Sequence, residues 1–143
     1  MIDARLLDAV GSLAALHVRP DHIPVIGIAG AQGSGKTTLV RAAAERLGAA
    51  HLSLDDVYLT RAERQAMARE VHPLFTVRGP PGTHDLGLLE RTLAALRAAD
   101  ADSRTPLPAF DKLADDRAPR TDWPVFAGRP SACLLYTSDA ADE

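Results

Sequence analysis

The alternation of apolar and polar residues divides the chain into short helices and strands. Residues 4–16 repeat apolar side chains at helical spacing, and Asp3 precedes them as a possible N-cap. Residues 25–29 form a short apolar run rich in β-branched side chains, which predicts a buried strand. A second, Ala-rich helical pattern covers residues 36–47. Gly48 marks its end, because glycine readily adopts the left-handed conformation found there.

The rest of the pattern predicts a second strand and two more helices, over residues 51–54, 60–70 and 85–99. Thr60 and Glu63 have the spacing of a capping box. Residues 73–82 are predicted to be loop. Prolines recur through residues 105–130, which excludes long regular structure and indicates an ordered loop or a lid. The order strand, glycine-rich loop, helix, strand, helix is typical of an α/β domain with a parallel sheet.

Composition narrows the class of protein. The chain has 143 residues, of which 46% are hydrophobic and 24% charged, as expected of one soluble domain or part of one. The first residues lack the layout of a signal peptide, and no apolar run is long enough to cross a bilayer. We therefore expect a cytoplasmic protein without a membrane partner. The sequence does not determine the oligomeric state.

The last eleven residues, C-L-L-Y-T-S-D-A-A-D-E, resemble the translation of an adapter used in DNA sequencing. We expect residues 1–132 to be native and residues 133–143 to be a non-native tail; a natural acidic tail is the alternative. Without the tail, 19 − 3 = 16 acidic residues balance 16 lysines and arginines, so nucleic acid is not an expected partner. The single cysteine lies in the tail, which leaves no basis for a disulfide or cysteine–metal site.

Residues 30–37 carry the strongest chemical signal. Their sequence, G-A-Q-G-S-G-K-T, satisfies G-x-x-x-x-G-K-[ST] between a predicted strand and a predicted helix. Glycines allow successive backbone N–H groups to surround an anion, and the helix N-terminus adds its positive dipole end. Lys36 is expected to reach the β- and γ-phosphates, and Thr37 to ligate Mg²⁺. A glycine-rich turn that only caps a helix would explain the glycines but not this lysine and threonine. The predicted nucleotide contacts are Gly30, Ala31, Gln32, Gly33, Ser34, Gly35, Lys36, Thr37 and Thr38.

Two adjacent carboxylates follow the second predicted strand. Asp55 and Asp56 should lie at the same sheet edge as residues 30–37, since the carboxyl ends of parallel strands face the ligand crevice. A carboxylate there could hold Mg²⁺ or take a proton from an acceptor hydroxyl. The alternative is an N-cap for the next helix, but Thr60 fills that role better. The chain has only two lysines, Lys36 and Lys112, in an otherwise arginine-rich basic set.

Four motifs together resemble the D-glycerate 3-kinase family of P-loop kinases, with phosphoribulokinase, uridine kinase and pantothenate kinase as more distant relatives. They are G-A-Q-G-S-G-K-T-T, S-L-D-D-V-Y-L-T, R-G-P-P-G-T-H-D and P-A-F-D-K-L-A-D-D-R. The resemblance implies a P-loop NTPase-type parallel sheet flanked by helices. It also implies a kinase that uses ATP and Mg²⁺ to phosphorylate a hydroxyl of a small hydroxy acid, D-glycerate being the first choice.

The same resemblance implies what the chain lacks. The family continues with an apolar strand that ends in an acidic residue, where this chain has its predicted tail. We therefore expect the sheet to be truncated after the first strands and the chain to be an inactive N-terminal part of a kinase domain. We also expect residues 132–136, which are apolar, to occupy the vacant position beside residues 25–29.

Site roles follow from the resemblance. Asp55 corresponds to the proposed catalytic base and a metal ligand with Thr37, while Lys36 and Arg117 neutralise charge during transfer. Predicted acceptor-side residues are Asp56, Tyr58, Arg78, His84, Asp85, Asp111 and Lys112, with Arg78 or Arg117 as partner of the acceptor carboxylate. Structural roles remain open for several of these residues. They are an N-cap for Asp85, loop hydrogen bonding for His84, packing for Tyr58 and a solvated surface loop for Asp111, Lys112 and Arg117.

Two other functions stay open. One is a related kinase for another small alcohol, such as a nucleoside or pantothenate. The other is a nucleotide-binding switch module without kinase activity, although the Asn-Lys-x-Asp motif that reads guanine in many switches does not occur.

Overall fold

The computed structural model describes residues 2–31 and 33–137. In these ranges its helices are α1 (Ala4–His17), α2 (Lys36–Leu47), α3 (Arg61–Glu70) and α4 (Leu86–Ala98). Its strands are β1 (Val25–Ile28), β2 (Ala50–Ser53), β3 (Arg104–Pro106), β4 (Phe110–Asp111), β5 (Asp116–Arg117), β6 (Val125–Ala127) and β7 (Cys133–Tyr136).

The central sheet is parallel and has the strand order β1-β7-β2. Tyr136 of β7 is in register with Ile28 on one side and Ser53 on the other, so all three strands end at the same level. The predicted α/β class and parallel sheet are confirmed. Residues 133–136 do lie beside residues 25–28, as expected, and they also separate β1 from β2. The end of the predicted tail, residues 138–143, is outside the described residues.

Helices cover both faces of this sheet. Side chains alternate along β7, so its apolar residues face both sides and need a packing partner on each. Leu134 and Tyr136 pack with α1 and α2, in a cluster that contains Val40 and Ala43. Cys133 points to the opposite face, where it packs with Leu96 of α4 among others. Leu134 is fully buried, so removal of its side chain from water should stabilise the fold by about 1.5–3 kcal/mol.

Local capping signals set the helix ends. The Asp3 carboxylate accepts the N–H of Arg5 at 2.8 Å at the start of α1. At α3 the capping box is complete, since the Thr60 hydroxyl accepts the Glu63 N–H and the Glu63 carboxylate accepts the Thr60 N–H. Gly48 ends α2 with φ +65°, a conformation that glycine adopts without steric cost.

The proline-rich region is ordered but contains only short elements. Strands β3 and β6 pair antiparallel, and β4 and β5 form a second antiparallel pair. The predicted loop at residues 73–82 is not wholly irregular, because a 3₁₀ turn spans Pro73–Thr76 and His72 caps it through Nδ1. None of the helices in the described ranges has the length and apolar character needed to cross a bilayer.

Candidate nucleotide and acceptor site

Residues 30–37, the phosphate loop, connect β1 to α2. Gly33 and Gly35 have φ of +76° and +85°, so these positions require the conformational freedom of glycine. Lys36 is only 3% exposed, and its Nζ donates to the carbonyl oxygens of Gly30 at 2.8 Å and Ala31 at 3.3 Å. The ammonium group is thus held inside the curve of the loop, at the N-terminus of α2. Gln32, one of the predicted nucleotide contacts, is outside the described residues.

A cavity of about 450 Å³ opens beside the phosphate loop, a size within the usual range for small-molecule sites. The start of α1 contributes Ile2, Asp3 and Leu6 to its wall. The remaining lining residues come from β1, the phosphate loop and α2: Ile28, Ala29, Gly30, Ser34, Gly35, Lys36, Thr38 and Leu39. The predicted contacts Ser34 and Thr38 are exposed in this cavity wall, whereas Thr37 is buried.

Asp55 lies at the same sheet edge as the phosphate loop. It belongs to a 3₁₀ turn, Leu54–Val57, that directly follows β2. Ser53 and Ile28 share a register position, so Asp55 and Gly30 each stand two residues beyond the same level of the sheet. Strand β7 lies between them, which separates the two chain segments by two strand spacings, about 10 Å. Asp55 and the phosphate loop therefore border the same end of the sheet.

A second group of side chains is linked to Asp55 through Lys112 and Tyr58. We call Asp55, Tyr58, Arg78, His84, Asp85, Lys112 and Arg117 the acceptor-side cluster. Within it, Lys112 Nζ is 3.1 Å from Asp55 Oδ2. Burial raises the pKa of Tyr58, and the negative charge of Asp55 together with a hydrogen bond to that carboxylate adds to this effect. Asp55 is therefore held from two sides.

Arg117 joins the cluster to α4. Its Nη2 donates to Asp85 Oδ2 and to the carbonyl oxygen of Tyr58, both at 3.2 Å. The other oxygen of Asp85 accepts the N–H of Leu88 at 2.9 Å, so Asp85 is the N-cap of α4 and an arginine partner at once. The Tyr58 ring stacks on His84 with 4.4 Å between the centroids. This stacking gives His84 and Tyr58 packing roles, whatever else they do.

Arg78 covers the aromatic side of the cluster. Its guanidinium carbon lies 5.1 Å from the ring centroid of Phe110 and 5.9 Å from that of Tyr58. Such cation–π contacts hold a guanidinium without using its hydrogen-bond donors. Arg78 Nη1 and Arg117 Nε are buried and have no hydrogen-bond partner among the described residues.

Two predicted substrate residues are engaged by the backbone instead. Asp56 accepts main-chain N–H groups of Phe110 and Ser53, while its burial raises the pKa of its carboxyl to about 6. Asp111 is exposed, and its Oδ1 accepts the N–H groups of Leu113 and Ala114 at 3.0 and 3.1 Å. Asp56 therefore joins β4 to the segment after β2, and Asp111 stabilises the β4–β5 turn. Their roles toward a substrate stay predictions.

One strong contact was not predicted from the sequence. Arg64 of α3 is 0% exposed and forms an ion pair of 3.0 Å with Asp115, at the turn between β4 and β5. No motif includes Arg64. The only signal available was an arginine within a short helix, which is far more often a solvated residue.

The fold and the phosphate loop first define a class. A G-x-x-x-x-G-K-T loop between a parallel strand and a helix is the nucleotide-binding element of P-loop proteins. Residues 25–118, well over half of the chain, match the family described as AAA domain. The chain belongs to this AAA domain family.

Solved structures refine the comparison. The chain is similar to D-glycerate 3-kinase from Cryptococcus neoformans, with 32% identity and a TM-score of 0.78 over 95% of this chain and 53% of that one. It thus spans about half the length of that enzyme. The resemblance to this group of P-loop kinases is confirmed.

Two further structures share the fold. The YGR205w protein has 24% identity and a TM-score of 0.70, over 93% of this chain and 53% of that one. A possible uridine kinase from Bacillus stearothermophilus has 19% identity and a TM-score of 0.56, over 93% of this chain and 70% of that one. At these identities the similarity concerns the fold alone. Comparison with curated protein sequences gives no match.

Proposed function

We propose that the domain transfers the γ-phosphoryl group of ATP to a hydroxyl of a small hydroxy acid, with D-glycerate as the first candidate. Residues 1–132 would supply the phosphate loop and the acceptor-side cluster of that kinase. The 143-residue chain by itself would bind nucleotide without turnover. The similarity to D-glycerate 3-kinase and the four sequence motifs support this choice of substrate.

The observation that carries the proposal is a pair of buried guanidinium donors in the acceptor-side cluster. Arg78 Nη1 and Arg117 Nε lack partners among the described residues, and a buried donor without an acceptor costs about 1–3 kcal/mol. An acceptor carboxylate would supply oxygens for these donors, because hydrogen bonds from guanidinium groups to carboxylates are stronger than those to neutral acceptors. A neutral alcohol could not do so equally well.

Asp55 would act on the acceptor hydroxyl. In an in-line transfer the hydroxyl oxygen bonds to the γ-phosphorus as the bond to the β,γ-bridging oxygen breaks, and the hydroxyl proton passes to Asp55. Lys112, 3.1 Å from Asp55 Oδ2, would orient the carboxylate. Lys36 would stabilise negative charge on the phosphates, from its position inside the phosphate loop.

The oxygen donors at this edge fit Mg²⁺. Thr37 and Asp55 would hold the ion, since Mg²⁺ in nucleotide sites takes one or two protein oxygens together with phosphates and water. When bound, Mg²⁺ would neutralise charge on the β- and γ-phosphates. No group of three or more His, Cys, Asp and Glu side chains forms a cage for a metal in the part of the chain that the structure describes. Mg²⁺ bound with a nucleotide does not need such a cage.

The test compares two proteins. One is the 143-residue chain; the other, the extended chain, joins residues 1–132 to the second half of the Cryptococcus D-glycerate 3-kinase. Calorimetry with ATP and MgCl₂ should detect nucleotide binding in both. A coupled assay for ADP should detect turnover with D-glycerate in the extended chain only.

Other substrates decide between alternatives. Faster turnover with uridine or pantothenate than with D-glycerate would show that the substrate is another small alcohol and not a hydroxy acid. ATP hydrolysis that no acceptor accelerates would favour a switch module. If neither protein binds ATP, the nucleotide assignment itself is wrong.

A further inference from the structure

Arg64 lies outside the phosphate loop and the acceptor-side cluster, yet its side chain is completely buried. A charged group is stable in the interior only when its donors find acceptors. The hydrogen-bond partners of Arg64 therefore show which segments this buried guanidinium holds together.

The Arg64 guanidinium connects α3 to three other segments. Nε donates to the carbonyl oxygen of Leu59 at 3.2 Å, and Nη1 donates to that of Thr76 at 3.0 Å. Nη2 donates to the carbonyl oxygen of Asp115 at 2.6 Å. Asp115 Oδ2 also accepts from Nη1 at 3.3 Å, and Asp115 Oδ1 lies 3.0 Å from Nη2 in an ion pair. The planar fork of arginine makes this set of contacts possible, and a lysine ammonium could not span it.

Asp115 is a conformational anchor for the β4–β5 hairpin. Its φ is +55°, in the left-handed region that residues other than glycine seldom adopt. The contacts from Arg64 hold it there. Lys112 and Arg117 stand on either side of this turn, and they ion-pair with Asp55 and Asp85 across the cluster.

The same anchor reaches Arg78. Arg78 Nε is 3.5 Å from Asp115 Oδ1, the carboxylate oxygen that Arg64 Nη2 also contacts. Thr76, whose carbonyl oxygen binds Arg64, is two residues before Arg78 in the chain. Both routes from Arg64 thus end at cations of the acceptor-side cluster.

We propose that Arg64 is a positioning residue for the acceptor-side cluster. Through Asp115 it holds the hairpin that carries Lys112 and Arg117, and through Thr76 it holds the loop that carries Arg78. It does not act on the phosphate loop. The consequence for acceptor binding rests on the proposed function, whereas the consequence for side-chain geometry does not.

The test replaces Arg64 by lysine, with Arg69→Lys as the matched control because Arg69 is an exposed arginine of the same helix. Nuclear magnetic resonance of the ligand-free chain should show the side-chain N–H signals of Lys112 and Arg117 moving toward those of unrestrained groups. The backbone signals of Gly33 and Gly35 should stay in place. In binding assays, Arg64→Lys should raise the dissociation constant of D-glycerate by about 10- to 100-fold and that of ATP by less than about 2-fold. The control should change neither.

A second variant covers the case in which Arg64→Lys does not fold. Asp115→Asn removes the charge but keeps the carbonyl acceptor, and asparagine tolerates the left-handed conformation. It should shift the same side-chain signals by a smaller amount. Unchanged Lys112 and Arg117 signals in a folded variant would overturn the proposal. Shifts of equal size in the backbone signals of Gly33 and Gly35 would also overturn it. Failure of both variants to fold would also overturn it, because Arg64 would then only stabilise the core.

The two proposals fail in different ways. A native chain that binds ATP but not D-glycerate contradicts the proposed acceptor. The ligand-free spectra still decide the role of Arg64 in that case.

Discussion

The phosphate loop consists of consecutive residues, whereas the acceptor-side cluster draws on four separate segments of the chain. Lys36 finds its acceptors five and six residues away, at Ala31 and Gly30. Lys112 and Asp55 are 57 residues apart, and Arg117 and Asp85 are 32 apart. Closing such long loops costs entropy before any contact forms, so the cluster depends on the whole fold while the loop depends mainly on its neighbours.

This difference predicts separable failures. A change in the phosphate loop should alter nucleotide binding and leave the acceptor side intact, and the reverse should hold for the cluster. Strand β7 should be the exception, because β1 and β2 are joined through it in the part of the chain described by the structure.

The largest effect is expected for Asp55→Asn in the extended chain. Loss of the proposed proton acceptor should reduce the turnover number with D-glycerate by about 10²- to 10⁴-fold. The ATP dissociation constant should be nearly unchanged, because the phosphate loop is intact. Asp102→Asn, at an exposed carboxylate, serves as the control. Unchanged turnover would remove Asp55 from the proposed mechanism.

Leu134→Ala should damage both regions at once. A cavity left by this fully buried side chain should lower the free energy of unfolding by about 2–5 kcal/mol. Leu113→Ala, at a fully exposed leucine, should change it by no more than about 0.5 kcal/mol. Urea unfolding measures both. Similar values for the two variants would show that β7 does not hold the sheet together.

Lys36→Met should affect the nucleotide alone. Loss of the charge-assisted hydrogen bonds that we propose between Lys36 and phosphate should weaken ATP binding by about 10- to 100-fold. D-glycerate binding should stay within about 2-fold of the native value. Calorimetry with each ligand checks this, after thermal unfolding has shown that the variant folds. Parallel losses for both ligands would contradict the separation of the two regions.

The last prediction involves no ligand and concerns the pH dependence of stability at Asp56. Burial raises its pKa from 3.8 to about 6, so the folded chain binds this proton more tightly than the unfolded chain does. The resulting stabilisation is complete below about pH 4 and is lost as the pH rises through about 6. Asp56→Asn should lack this decline. Unfolding free energies of the two proteins from pH 4 to 7.5 should diverge, and parallel curves would show that folding does not raise the pKa of Asp56.

The sequence determined the elements whose signals are local. Asp3, the Thr60–Glu63 capping box and Gly48 mark helix ends through contacts within a few residues, and the structure confirms each of them. The phosphate loop is of the same kind, because its glycines, lysine and threonine stand at fixed short spacings. The position of Asp55 at the same sheet edge as the phosphate loop could also be predicted from the sequence, since a parallel sheet aligns the ends of its strands.

Tertiary structure alone decided how the separate segments combine. The sequence could not show that Asp56 and Asp111 bind backbone N–H groups while Asp55 binds Lys112. Nor could it show that a buried Arg64 meets Asp115, 51 residues further along the chain. The physical reason is that a local signal depends on spacing along the chain, whereas a long-range ion pair depends on the packing of every segment between its partners.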